Sequence, residues 1–241
     1  MGVTRMRRGF FVFFLRVLLL GSCLMLFPAP RHTAAASEIP SVGDLVAWGR
    51  YEQDNDLENG PESVLWRVLA RRGTTVLLFS DAGLDARKFH HDNMPVQWSD
   101  SDLRAWLNHD FLQQLLSEEE QTAVCVSHLK ALPHPRFSTD PGRDTDDLIF
   151  LLSMQEVERY LPEPDDRLCV CTPYAKASGA YRGENGMSGW WLRTTGHSAD
   201  DEARVSTEGH FVNYDVDWGK DVVRPALWVD AALAELIVTK N

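Results

Sequence analysis

A stretch near the end of the chain combines aromatic rings with hydrogen-bonding groups. Its members are Asn213, Tyr214, Asp215, Asp217 and Trp218. Aromatic faces beside amide and carboxylate groups are the combination with which proteins bind sugars and protein partners. The two-residue alternation of a strand would place Asn213, Asp215 and Asp217 on one face. We therefore predict a noncovalent ligand-binding surface; the alternative is a solvated strand edge with both aromatic rings in the core.

Two acidic clusters could hold a calcium ion, because calcium takes oxygen ligands. They are Asp144, Asp146 and Asp147, and Asp200, Asp201 and Glu202. An acidic surface explains both clusters at least as well, so no cofactor is predicted and no residue is assigned to a metal. The loop 54–60 also resembles a calcium loop, but Asn59 and Leu65 stand where an EF-hand needs Gly and Glu. We predict a polar hairpin there.

The sequence contains no recognisable arrangement of catalytic residues. Motifs typical of serine hydrolases, zinc proteases and phosphate-binding loops do not occur. The histidines show no ligand spacing, and the adjacent His90 and His91 are expected to diverge on any regular element. A structural zinc site is not expected, because there is no Cys-x-x-Cys pair. The sequence favours a binding protein over an enzyme and leaves catalytic activity open.

The acidic balance of the chain argues against binding to nucleic acid. The sequence has 24 Lys and Arg against 35 Asp and Glu, a net charge of −11. A protein that contacts phosphates needs a basic face. The content of 44% hydrophobic and 24% charged residues is typical of a folded globular protein, which excludes an intrinsically disordered chain.

The first thirty-six residues differ from the rest of the chain. They contain five arginines and no acidic residue, and the apolar run Val17–Phe27 is followed by Ala34–Ala36. A basic start, a short apolar run and small residues at the end are typical of a cleaved signal peptide. We predict cleavage after Ala36 and export of residues 37–241 to the periplasm, the cell surface or the medium. The alternatives are a lipid anchor at Cys23 or an uncleaved membrane anchor; in each, the mature domain is not inserted in the membrane.

Export would allow a disulfide among the three cysteines of the mature chain. Cys169 and Cys171 are so close in sequence that a bridge between them would be strained, so Cys125 with one of them is the better pairing. The alternative is that all three are small buried hydrophobic residues.

Strand and helix patterns alternate along the mature chain. Three segments with branched and aromatic residues predict strands at 45–48, 64–69 and 74–79, with a tight turn at Arg72-Gly73. N-cap patterns predict helix starts at Ser99, Ser117, Ser153 and Thr172. Later strands are predicted at 190–193 and 222–229, around a hairpin that turns at 207–209.

These elements predict one α+β domain over residues 37–241, with a core at about 43–229. Mixed, mostly antiparallel sheets with a few short helices are expected. Trp190 and Trp191 would point to opposite faces of a strand, so at least one should be buried. Arg193 and Arg224 are expected to make structural hydrogen bonds.

Six sequence strings occur in an order that resembles a bacterial protein family. The strings are Trp48–Asp56, Leu103–Asn108, Phe150–Ser153, Tyr174–Ala177, Trp190–Arg193 and Val223–Trp228. They resemble the bacterial domain-of-unknown-function family numbered 6273, which is common in surface and secreted proteins. The resemblance covers nearly all of residues 43–229 and implies no established activity.

The closing strands also resemble the end of a C-type-lectin-like fold. That fold is shared by carbohydrate-binding lectins, variable receptor proteins and formylglycine-generating enzymes. The resemblance implies a rigid scaffold that presents ligand-contacting residues on its late strands and loops. Here it implies an exported domain that binds a glycan, a peptide or a cell-surface partner; the alternatives are a formylglycine-generating or hydrolytic enzyme and a structural envelope protein. Thr194-Thr195 stands where the first family usually has Ser-Pro, so the turn there is expected to differ.

Overall fold

The computed structural model of the protein describes residues 1–2 and 39–239. Apart from Met1 and Gly2, the predicted leader with its cleavage site and Cys23 lies outside the described residues. Among the residues that are described, no helix is both long enough and apolar enough to cross a membrane.

The described chain forms short helices and short to medium strands. In chain order the strands are β1 (Leu45–Tyr51), β2 (Glu62–Arg72), β3 (Thr75–Ser80), β4 (Asp85–Ala86), β5 (Val124–Cys125), β6 (Ser127–Leu129), β7 (Thr145–Asp147), β8 (Trp190–Thr195), β9 (Asp201–Val205), β10 (Phe211–Asp215), β11 (Val222–Val223), β12 (Ala226–Asp230) and β13 (Ile237–Val238). The α-helices are α1 (Asp102–Trp106), α2 (Leu112–Leu115), α3 (Glu118–Gln121), α4 (Met154–Tyr160) and α5 (Pro173–Ala177). A π-helical turn, Leu107–Phe111, joins α1 to α2, and 3-10 turns lie at Trp98–Asp100 and Pro164–Arg167.

Two sheets and a small ribbon organise these strands. The larger sheet has the order β13-β1-β2-β3-β12-β5, and its neighbouring strands are antiparallel. The smaller sheet has the order β10-β9-β8-β11-β4, with one parallel pair, β8 and β11. Strands β6 and β7 form the ribbon. The prediction of an α+β fold with mostly antiparallel sheets and a few short helices is confirmed.

The early strands lie where the sequence predicts them, as the meander β1-β2-β3. Gly73 turns β2 into β3 with a φ of 62°, a left-handed conformation that favours glycine. The polar loop 54–60 joins β1 to β2, so the predicted hairpin is confirmed. Local composition and turn chemistry are therefore sufficient to predict this meander, which pairs with β13 and β12 at its two edges.

The strand segment predicted at 222–229 forms two strands in different sheets, with the strand end expected at Pro225. β11 pairs in the smaller sheet and β12 in the larger one, with Arg224 and Pro225 between them. Proline has no N–H to donate to a ladder and so favours such a break. The crossing at Arg224-Pro225 carries the chain directly from one sheet to the other.

Helix capping follows the predicted pattern at three of four starts. Ser117 and Ser153 each form a complete capping box, with Glu120 and Glu156 respectively. Thr172 caps α5, where Pro173 is the first helical residue. The cap predicted at Ser99 is wrong: Ser101 accepts the hydrogen bond from the Arg104 N–H, because a 3-10 turn occupies the three residues before Ser101.

A continuous apolar core lies beneath both sheets. Trp66, Trp190, Trp191, Phe79 and Phe89 are its largest fully buried side chains. Both members of the Trp190-Trp191 pair are inaccessible, because the outer face of β8 is covered as well as the inner one.

The three cysteines of the described residues are free thiols, so the disulfide alternative is not found. Cys169 and Cys171 are buried among apolar side chains, as small hydrophobic residues would be. Cys125 is only half-buried, since it lies on β5 at the edge of the larger sheet.

Candidate functional site

The β9–β10 hairpin holds the residues that the sequence singles out for binding. The two strands pair in register from Phe211 opposite Val205 to Asp215 opposite Asp201. Gly209 closes the turn with a φ of 79°, and a Cβ there would lie 2.0 Å from the Pro164 carbonyl oxygen. Only glycine fits such a close approach, so the predicted turn is also anchored against the chain before the Trp190 strand.

We use the name β10 surface for Asn213, Tyr214, Asp215, Asp217 and Trp218. The rings of Tyr214 and Trp218 lie 4.6 Å apart between centroids and are tilted by 47°. Tyr214 is 39% exposed, so it is not a core residue, whereas Trp218 is half-buried and packs partly against the core. Asp217 lies beyond the end of β10, so it does not continue the alternation of Asn213 and Asp215. The structure nevertheless places the five residues on one short strand and the turn after it.

Two cations support the aromatic pair of the β10 surface. The Arg204 guanidinium carbon lies 5.0 Å from the Tyr214 ring centroid. The Lys220 amine lies 5.0 Å from the Trp218 ring centroid. Cations at this distance from a ring face are attracted by its quadrupole. The rings are therefore held in place by charge as well as by packing.

Arg204, which lies under Tyr214, forms an ion pair with the buried carboxylate of Asp221. Arg204 Nη1 donates to both carboxylate oxygens of Asp221, at 2.5 and 2.7 Å. Only 12% of the Arg204 side chain and 2% of the Asp221 side chain are exposed. Burial raises the pKa of Asp221 to about 6, although Arg204 opposes the shift. The ion pair thus holds Arg204 in place, and the free energy it contributes is reduced by the desolvation of the Asp221 carboxylate.

A second buried carboxylate lies directly across from Tyr214. Glu202 pairs with Tyr214 in the β9–β10 register and is fully inaccessible to solvent. Neither of its carboxylate oxygens has a hydrogen-bond partner among the described residues. Burial raises the pKa of Glu202 well above its ordinary value, because the charged form is penalised away from water. The carboxyl is therefore held in the protonated form over a widened pH range.

The polar groups of the β10 surface have few hydrogen-bond partners among the described residues, and the Nε1 atom of Trp218 is buried without one. Within the described part of the chain, the side chains of Asn213, Tyr214 and Asp217 make no hydrogen bonds. Partial desolvation and the neighbouring carboxylate of Asp201 raise the pKa of Asp215. Tyr214 lies on the opposite face of β10 from Asn213 and Asp215, so the ring and these hydrogen-bonding groups border the same edge strand from its two sides.

The four residues predicted to be structural contact main-chain carbonyls. Trp190 Nε1 donates to the Arg167 oxygen and Trp191 Nε1 to the Arg87 oxygen. Arg193 donates to the Leu151 oxygen and pairs with Glu156. Arg224 donates to the Ser80 and Asp81 oxygens, with its guanidinium 4.2 Å from the Phe79 ring centroid. All four side chains tie strands to neighbouring segments.

The acidic clusters considered for calcium are oriented toward protein partners. Asp144 accepts from Lys130 at 2.5 Å, Asp146 pairs with His128, and Asp147 accepts from Arg104 at 2.6 Å. Asp201 pairs with His197, and Glu202 is sealed in the core. Among the described residues, neither predicted cluster brings three carboxylate oxygens within 4.8 Å of one another.

Sequence reasoning missed two further features. A cleft of 580 Å³ is lined by Arg67, Asp81, Tyr160, Asp166 and Arg224, which come from four separate parts of the chain. His90 and His91 lie in an irregular bend and not on a regular element, and their rings are 4.3 Å apart. The adjacent histidines are visible in the sequence, but only the fold shows that both rings face the same carboxylate, Asp102.

Comparison with known proteins identifies the family of the chain. The family model described as Domain of unknown function (DUF6273) matches residues 73–231. The chain belongs to this family. The DUF6273 region runs from the β2–β3 turn to the end of β12, so it includes the complete smaller sheet and the β10 surface. No curated protein and no solved structure matches the chain.

Proposed function

We propose that this DUF6273 protein is an exported, noncovalent binding domain and that its ligand is a glycan held on the β10 surface. The observation that carries the proposal is the Tyr214–Trp218 pair, in which the exposed Tyr214 ring contacts the half-buried Trp218 ring and lies over Arg204, on the strand that also bears Asn213 and Asp215. The resemblance of the closing strands to the end of a C-type-lectin-like fold supports this proposal, because that fold presents ligand-contacting residues on its late strands.

The chemistry of the surface favours a glycan over a peptide or another protein. Sugar rings offer C–H faces that pack on aromatic rings and hydroxyls that donate to carboxylates. The β10 surface has the exposed ring of Tyr214 and the half-buried ring of Trp218, with Asp215 and Asp217 adjacent to them in the chain. A protein partner would require a wider apolar centre than two rings provide. The group types and the small size of the surface therefore both favour a short stretch of polysaccharide as the ligand.

A thermal-shift screen tests this proposal. The purified protein is mixed with polysaccharides and cell-wall fragments, each with calcium or with a chelator. A ligand at about one hundred times its dissociation constant adds about 2.7 kcal/mol to the stability of the folded state. We expect a glycan-dependent rise in melting temperature that persists in chelator.

The control variant is Trp228→Ala, which removes a half-buried tryptophan from the other sheet. It should lose intrinsic stability and keep the glycan-dependent increment, whereas Tyr214→Ala should lose the increment. A flat response of well-folded wild-type protein to every glycan would contradict the proposal and favour a protein partner or a structural envelope role.

A further inference from the structure

Three potential ligand atoms converge where the loop after β4 meets the start of α1. His91 Nδ1 lies 2.6 Å and His90 Nδ1 lies 3.1 Å from the same atom, Asp102 Oδ2. We call these three residues the His90 cluster. Their ligand atoms all lie within 4.8 Å of one another. Two imidazole nitrogens and a carboxylate oxygen are the donor set that transition metals take in proteins.

His90 is not a satisfied core histidine. It is 8% exposed, so more than nine-tenths of the residue is buried. Its Nδ1 atom has no hydrogen-bond partner among the described residues, although it faces Asp102 Oδ2. An unpaired buried nitrogen costs free energy unless another group binds it. The ring therefore presents a free lone pair, or a free N–H, toward the other two members of the cluster.

The main chain around the cluster is fixed by hydrogen bonds. The His90 N–H donates to the Val216 oxygen at 2.9 Å, and the His91 N–H donates to Asp102 Oδ2 at 2.8 Å. The Leu103 N–H donates to the Phe89 oxygen at 3.1 Å. Three segments of the chain are thus locked together at this point, so the cluster is preorganised by the fold.

We infer that His90, His91 and Asp102 form a binding site for a divalent transition-metal ion of the zinc class. A tetrahedral Zn²⁺ ion with bonds of about 2.0–2.2 Å separates neighbouring ligand atoms by about 3.3 Å. The distance of 3.1 Å from His90 to Asp102 meets this requirement as it stands. The distance of 2.6 Å from His91 to Asp102 must open by less than an ångström, and both side chains are more than half exposed.

The donor set also indicates which ions do not suit the site. Calcium and magnesium prefer cages of oxygen ligands, whereas two of the three atoms here are imidazole nitrogens. Three protein ligands leave one position of a tetrahedral ion open. Water or a ligand oxygen would complete the coordination there.

The site is tested with Zn²⁺ and Co²⁺ on the whole protein after treatment with a chelator. Calorimetric titration should show one high-affinity Zn²⁺ ion, and the Co²⁺ form should show the visible absorption of a tetrahedral site. His91→Ala and Asp102→Asn change exposed side chains, so both should fold. Each should lower the Zn²⁺ affinity by about tenfold or more.

The matched control is His128→Ala, which removes a single exposed histidine paired with Asp146. That variant should keep the wild-type Zn²⁺ affinity. His90→Ala is measured as well, with circular dichroism to confirm its fold. Weak, non-stoichiometric Zn²⁺ binding by the wild type, or full affinity in both His91→Ala and Asp102→Asn, would overturn the assignment.

Discussion

Each of the two sheets has an arginine that contacts an aromatic ring. The two pairs differ in which member is nearer to solvent. On the larger sheet, the Arg72 guanidinium lies 4.5 Å from the Trp228 ring centroid, with Arg72 exposed and Trp228 half-buried. On the smaller sheet, Arg204 lies mostly buried beneath Tyr214, which is 39% exposed. The cation covers the ring in the first pair, and the ring covers the cation in the second.

The difference shows how one interaction serves two purposes. Where the arginine is outermost, it shields apolar surface from water and needs no partner of its own. Where the arginine is buried, it needs a counter-charge, and Asp221 supplies it from the interior. The smaller sheet thus bears a desolvated ion pair that keeps an aromatic ring at the surface.

The largest effect on stability should follow from Arg204→Met. This change leaves Asp221 buried without its partner, and breaking a buried pair in this way costs about 3–5 kcal/mol. Urea unfolding at pH 7.5 measures the loss. The double variant Arg204→Met/Asp221→Leu should recover part of it, because no charge is left unpaired; a single variant as stable as the wild type would show that the pair is not what holds the hairpin.

Ligand affinity should fall most in the double variant Tyr214→Ala/Trp218→Ala. Two aromatic contacts at the centre of a small site are expected to contribute about 2 kcal/mol or more, which is about a 30-fold change in dissociation constant. Calorimetry with the glycan found in the screen measures it. Trp228→Ala should bind the glycan with wild-type affinity. An equal loss of affinity in both variants would show that the Tyr214–Arg204 pair has no special role in binding compared with the Trp228–Arg72 pair.

The buried carboxyl of Glu202 should give stability an unusual pH dependence. Its pKa is raised in the folded state, so between the ordinary and the raised pKa the unfolded chain binds fewer protons. Stability then falls as pH rises, by up to about 1.4 kcal/mol per pH unit. Glu202→Gln should therefore melt higher than the wild type at pH 8 and lose this advantage below about pH 4. A gain that does not change with pH would point to packing rather than ionisation.

The smallest effect should come from Arg72→Met. The arginine is exposed and the methionine can still cover Trp228, so we expect a change within about 0.5 kcal/mol in urea unfolding. A loss comparable with that of Arg204→Met would mean that both pairs carry the same structural weight.

The local parts of the fold could be predicted from the sequence. The meander β1-β2-β3 follows from branched residues and the turn at Gly73, and the boxes at Ser117 and Ser153 follow from spacing alone. The five residues of the β10 surface are nearly contiguous in sequence, and their role in binding stays a prediction. Composition did not show that Tyr214 is exposed and Arg204 buried, because the position of the ring depends on the packing of Arg204 beneath it.

The remaining features depend on tertiary contacts. Arg204 and Asp221 are separated by 17 residues, and nothing in their flanking sequences marks them as partners. The segment 222–229 has the composition of one strand and is divided between two sheets. His90 and His91 converge because the bend is held by Val216, which is distant in sequence.

Proton–nitrogen correlation spectroscopy with added glycan determines whether the ligand lies on the β10 surface. The eight tryptophan indole signals and the backbone amides are followed while the glycan is added to ¹⁵N-labelled protein. We expect a ligand on the β10 surface to shift the signals of residues 213–218 and of the Trp218 indole, and to leave the Trp228 indole unchanged. Shifts confined to Trp228, or to the cleft beside Arg224, would contradict this expectation.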